Sequence, residues 1–331
     1  MRVRQRPAWV IVSGFCATLV GIGLARFAYT PLLPEVIGAR WFSASQATYL
    51  GAANLAGYVL GALSAARLAR RFAVRAVLRA LMLLTTASLV ACAWPVDYLW
   101  YSGWRLVSGA AGGALMVLAA PTVLPCIDPK QRGLASGIIF MGVGVGIAAS
   151  GLLVPLFLRH GLTLTWLYLA GISLVLTAIA WKGWPQSVTA PAATPENPLA
   201  PALHSPRQLH LLSAQYALNA AGLVPHMIFL VVFIADGLNR GLTAGSHYWT
   251  AFGIGAIAGP VLAGSLADRF GYQRTLRIGL GVQAVAVAIP AAHPSPAWLL
   301  LSTVIMGAFT PGIVPLVLGR IQEMLSHRSV S

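Results

Sequence analysis

Two arginines, Arg26 and Arg105, stand inside long apolar stretches of this chain. A charge in such a place is costly unless it meets a partner, a cavity or the water interface. The seven acids (Glu35, Asp97, Asp128, Glu196, Asp236, Asp268 and Glu323) all fall in loops or near the ends of apolar runs, so none is placed mid-run to neutralise them. A guanidinium in low dielectric suits a planar anion such as a carboxylate. The competing reading for Arg26 is snorkelling, with its stem in the core and its head at the headgroups. For Arg105 it is bonding to backbone carbonyls of neighbouring helices as a brace. Further on, Gln215, Asn219, Gly222 and His226 are spaced i, i+4, i+7 and i+11, which puts all four on one helical face. That stripe reads either as a cavity lining or as satisfied structural polarity. His226 is the group expected to carry proton coupling if any exists, because its charge changes near neutral pH. Cys16, Cys92 and Cys126 lie in or beside apolar runs and read as small core residues, neither disulfides nor metal ligands. The sequence has no Walker-type phosphate loop and no recognisable nucleophile–base set. No metal, no cofactor and no enzymatic activity are expected.

The elements that position these residues follow from composition. Hydrophobic residues make up 58% and charged residues only 9%, against roughly 25% charged in a soluble domain. Lipid must therefore be the main solvent, and the expected fold class is an all-α membrane protein. A span needs about 20 mostly apolar residues. Candidates lie at 8–30, 44–66, 76–95, 98–124, 133–158, 163–183, 208–235, 245–266, 275–292 and 296–320. The net charge of +15 would suggest nucleic acid in a soluble protein, but its distribution decides otherwise. With the N-terminus inside, 17 of the 22 Lys and Arg residues fall on the cytoplasmic side, as the positive-inside rule requires. Arg40, Arg159 and Arg240 fall outside, and Arg26 and Arg105 lie within spans. Nucleic acid is not an expected partner; the bilayer is. Residues 185–207 carry six prolines and no apolar run, which predicts an extended cytoplasmic linker. The predicted organisation is a six-helix bundle at 1–184, the linker, and four helices at 208–331.

The two sides of the linker repeat weakly at an offset of 198–200. Gly57 and Gly61 match Gly255 and Gly259, and Leu68-Ala69-Arg70-Arg71-Phe72 matches Leu266-Ala267-Asp268-Arg269-Phe270. His226 falls at the repeat position of Arg26. Duplicated halves around a linker are an architecture of secondary transporters. The segment from Gly264 through Asp268, Arg269 and Gly271 to Arg274 resembles the G-x3-D-[RK]-x-G-x-x-[RK] loop of the major facilitator superfamily. In a gate of that kind Gly264 would let helices approach, Asp268 would pair with an arginine or cap a helix, and Gly271 would allow a tight turn. The alternative is an ordinary basic cytoplasmic turn. The first half carries a degraded copy, with Ala66, Arg70 and Ala73 at the Gly, Asp and Gly places and Arg71 kept. Arg105 to Gly113 is similar to the superfamily's R-x3-G-x2-G-[GA] pattern. The first helix, from Gly23 through Arg26, Tyr29 and Pro31 to Pro34, resembles the bacterial YbfB/YjiJ-type branch, as does Gly222-Leu-Val-Pro225-His226.

The resemblance implies the general-transporter fold, with the first, fourth, seventh and tenth helices lining a central cavity, and a bacterial inner-membrane protein with both termini cytoplasmic. It implies alternating-access transport of a small organic solute; the two membrane arginines add the expectation that the solute is anionic, and a monomer is expected. Arg26, Tyr29, Arg105, Gln215, Asn219 and His226 would bind the solute, and Arg70, Arg71, Gly264, Asp268, Arg269, Gly271 and Arg274 would form gating loops. The family has twelve helices and this chain shows ten, a six-plus-four pattern expected of a chain cut after its tenth. A non-functional remnant, or a membrane scaffold without transport, are the alternative readings.

Overall fold

The computed structural model describes residues 7–128, 131–185, 206–292 and 295–326. The expected linker at 185–207 lies almost wholly outside the described residues. Among those described, all regular structure is helical, and ten helices are long and apolar enough to cross a membrane. In chain order they span Pro7–Gly38, Ala44–Arg71, Val74–Ala91, Tyr98–Cys126, Leu134–Leu158, Leu162–Ala180, Arg207–Gly237, Gly241–Ala267, Tyr272–Ala292 and Pro296–Ile321. Each of the ten expected spans has its counterpart. The ends are set by local chemistry. Ser43 accepts from the Gln46 N–H at 3.2 Å while the Gln46 side chain accepts from the Ser43 N–H at 3.1 Å, a reciprocal cap on the second helix. Asp97 caps the fourth helix by accepting from the Trp100 N–H at 2.7 Å.

The first helix is not uniform. It is α-helical over Pro7–Thr18, widens to π-helix over Leu19–Leu24, passes through a turn at 25–28, and resumes as α-helix over Tyr29–Gly38. A π segment inside a span frees or displaces backbone groups that lipid cannot satisfy. Here the ladder continues as i→i−5 bonds, from the Ala25 N–H to the Val20 carbonyl at 3.1 Å and from Phe27 to Ile22 at 3.2 Å.

The chain divides into two compact units. One comprises Met1–Pro191 with Ile228–Thr250; the other comprises Ala192–Met227 with Ala251–Ser331. Among the described residues the first unit packs apolar clusters around Val20, Met82, Leu115 and Trp184 and around Leu32, Leu50, Tyr101 and Trp166. In the second, Leu212, Ala267, Leu276, Ile313 and Leu316 pack together.

Inside each unit the repeat places a helix pair packed backbone to backbone. A Cβ on Gly57 would overlap the Leu106 carbonyl oxygen, and one on Gly61 would overlap that of Ala110; Gly109 and Gly113 meet the Asn54 and Tyr58 carbonyls in return. In the second unit Gly255 meets the Val304 carbonyl, Gly259 that of Ala308, and Gly307 that of Phe252. Each of these second-unit contacts is a first-unit contact moved along the chain by the repeat offset of 198. Without apolar driving force between helices in lipid, this close van der Waals approach is what holds such pairs. The fifth helix uses Gly142, Gly146 and Gly151 in the same way, against Phe15, Gly23 and Thr250.

The loop after the second helix and the loop after the eighth turn differently. Gly271 turns at φ +81°, a region that favours glycine. Ala73, its counterpart, adopts φ −58° after an extended Phe72 at φ −132°, so the degraded copy makes its turn without a left-handed residue.

Candidate functional site around the break in the first helix

Three of the expected site residues converge on the turn at 25–28. Arg105, on the fourth helix, is 1% exposed. Its Nη1 donates to the Ala25 carbonyl at 2.8 Å, and its guanidinium carbon lies 4.3 Å from the centre of the Tyr29 ring. A buried cation bonded to a carbonyl in the turn and stacked on an aromatic face is compensated in two ways at once. Tyr29 is 3% exposed and donates its hydroxyl to the Ala47 carbonyl at 2.8 Å, which ties the resumed helix to the second one. Asn54 donates to the Arg105 carbonyl at 3.0 Å beside the glycine contacts.

Arg26 differs in kind. It sits in the turn itself and is half-buried. Its guanidinium carbon is 5.1 Å from the ring centre of Phe27 and 5.1 Å from that of Tyr58. Phe27 in turn lies 6.0 Å from Trp249, whose indole N–H donates to Ser150 at 3.0 Å. Twenty residues centred on the Pro7–Gly38 span, about 30 Å of helix, include Arg26. The Tyr58 contact was not legible in the sequence, where nothing pairs that ring with Arg26.

The polar stripe on the seventh helix is graded. Gln215 is exposed, Asn219 half-buried and His226 7% exposed. Asn219 and Gly222 line a cavity of about 220 Å³ together with Leu280, Gln283, Ala284 and Val287. The Asn219 amide nitrogen, the Gln283 amide oxygen and the His226 Nε2 are buried without a hydrogen-bond partner. Gln283 went unread because one amide in an apolar run has no distinguishing spacing.

Of the gating-loop residues, Arg70, Arg71, Arg269 and Arg274 are exposed, and Gly271 makes its turn as expected. The expected close approach at Gly264 is not found: a Cβ there would meet open space. Asp268 lies in the eighth helix, and its side chain falls outside the described residues. The three cysteines are unpaired, Cys16 and Cys92 buried and Cys126 exposed.

The family described as the uncharacterised MFS-type transporter YbfB matches residues 18–330. The chain belongs to this family of major facilitator transporters. A chloramphenicol resistance protein of Streptomyces lividans is 26% identical over 269 residues, covering 80% of this chain and 67% of that protein. The uncharacterised MFS-type transporter YwfA of Bacillus subtilis (strain 168) is 24% identical over 325 residues, 92% of this chain and 76% of its own. Among solved structures, a bacterial homologue of the human lysosomal transporter Spinster, inward-facing and unoccupied, superposes with a TM-score of 0.69 at 16% identity, over 96% of this chain and 75% of that one. At that identity the likeness shows the fold alone. Family and fold together make this a multi-pass membrane protein of a transporter family, with small molecules as the substrates such proteins take.

Proposed function

We propose that this chain is a secondary transporter that moves a small organic anion across the bacterial inner membrane by alternating access, acting as a monomer with both termini cytoplasmic. The observation that carries this reading is Arg26, a half-buried cation at the break of a membrane-spanning helix, flanked by Phe27 and Tyr58. Interrupted helices near mid-membrane are where secondary transporters place solute sites. A guanidinium set against two aromatic faces is held near one plane, and its planar fork of N–H donors matches a carboxylate in shape and charge.

Arg105 and Tyr29 take the supporting part in this proposal. They are sealed, and they fix the turn whose geometry aims Arg26. On the seventh helix, Gln215, Asn219 and His226 share one face and are proposed as further solute-contacting residues of the second unit. Arg70 and Arg71 at the end of the second helix, and Asp268, Arg269, Gly271 and Arg274 around the turn between the eighth and ninth, are the proposed cytoplasmic gating segments, with Gly264 in the eighth helix.

Uptake of radiolabelled mono- and dicarboxylates into proteoliposomes tests the reading. The expected result is saturable uptake of at least one of them, competed by other carboxylates and not by neutral analogues. Saturable uptake of neutral solutes alone would overturn the anion assignment. An absence of any saturable uptake would favour a membrane scaffold without transport.

A further inference from the structure

The eighth, ninth and tenth helices enclose a groove of about 340 Å³ within the second unit. Its rim is formed by Leu262, Leu266, Phe270, Ile278 and Val282, all between 44% and 66% exposed. Gly259 and Gly312 line it where the eighth and tenth helices meet backbone to backbone, and Gly279 lines it against the Phe309 ring. A hydrophilic solute finds almost nothing to bond there. The one side-chain hydroxyl in the lining is Thr275, 8% exposed, with its Oγ1 buried and unpartnered.

Thr275 lies at the end of the groove where the eighth helix gives way to the ninth. At 100° per residue, Arg269 and Arg274 each stand about a quarter-turn from the groove-lining faces of their helices, both exposed and flanking that end. Arg277 follows, and the segment 266–277 carries three arginines against one acid, Asp268. The repeat makes the departure visible. At the places of Gly279, Thr275 and Arg274 the first unit has Leu81, Val77 and Ala76, with Leu81 packed against its core. Gly279, the Thr275 hydroxyl and Arg274 are therefore features the shared architecture does not require, whereas Gly259 and Arg269 match Gly61 and Arg71 of the first unit.

We propose that this groove retains one acyl chain of an anionic phospholipid, with the headgroup phosphate against Arg269 and Arg274 and Thr275 donating to a phosphate or ester oxygen. Apolar walls in a membrane-spanning segment suit a hydrocarbon chain, and paired arginines at the aqueous end suit an anionic head over a zwitterionic one. The occupant is thus a lipid, chosen by charge as well as by shape. The site is separate from Arg26 and stands whether or not that residue contacts solute.

Native mass spectrometry of the purified full chain, exposed to equal phosphatidylglycerol and phosphatidylcholine, reads this directly. The expected result is a phosphatidylglycerol adduct preferred by about fivefold per contributing arginine. Arg269→Gln with Arg274→Gln should level the two lipids while leaving adducts. Leu262→Trp, which lays an indole from an exposed rim position over the groove, should remove both. Thr275→Val should weaken retention with the side-chain shape kept. Equal binding of the two lipids by the unaltered chain, adducts that survive Leu262→Trp, or a co-purifying protein that Leu262→Trp displaces would each overturn the proposal.

Discussion

At the residue scale the two membrane arginines divide the work between them, and their surroundings explain how. Arg105 spends a hydrogen bond on the Ala25 carbonyl and its face on the Tyr29 ring, fully sealed. Arg105→Leu therefore leaves a carbonyl in the turn unpaired and removes a stacked cation, a loss of about 2 kcal/mol or more. Thermal unfolding in detergent should show a lowered midpoint, and Arg105→Lys should restore only part of it, because an ammonium lacks the planar fork. An unchanged midpoint in Arg105→Leu would contradict the brace. Residue types alone marked both arginines as unusual, but not which was which. That depends on the turn between Leu24 and Tyr29, and nothing in the uniformly apolar run Leu19–Leu24 announces a π-helix.

The ten elements were legible because each is an apolar run of bilayer length, and the repeat was legible because glycines mark backbone contacts. What the sequence could not distinguish was a glycine in contact from a glycine in open space. Gly61 and Gly259 face carbonyls of the neighbouring helix, whereas Gly137 and Gly264 face nothing within 4 Å. Gly61→Val and Gly259→Val should each force a helix pair apart, costing about 3 kcal/mol or more, and appear as loss of the monodisperse peak in size-exclusion chromatography. Gly264→Ala should leave that peak intact and gain up to about 1 kcal/mol from helix propensity. If Gly259→Val were as harmless as Gly264→Ala, the backbone-to-backbone packing of the eighth and tenth helices would be wrong. The degraded loop shows the same limit in reverse: Ala73 announced the missing glycine, and the structure supplied the alternative turn.

For the whole molecule, charge distribution predicts orientation and one native thiol can report it. Cys126 is exposed at the end of the fourth helix, beside the basic segment holding Lys130 and Arg132, while Cys16 and Cys92 are buried. A membrane-impermeant maleimide should label Cys126 in inverted vesicles and not in intact cells; the opposite pattern would reverse the topology. The central claim, that Arg26 meets the anionic group of a transported solute, is tested most directly by carboxylate uptake into proteoliposomes holding the unaltered chain, Arg26→Lys or Arg26→Ala at matched protein content. The account predicts that Arg26→Ala lowers uptake at subsaturating solute by tenfold or more, about 1.4 kcal/mol, with Arg26→Lys between the two. Uptake by Arg26→Ala equal to that of the unaltered chain would contradict it.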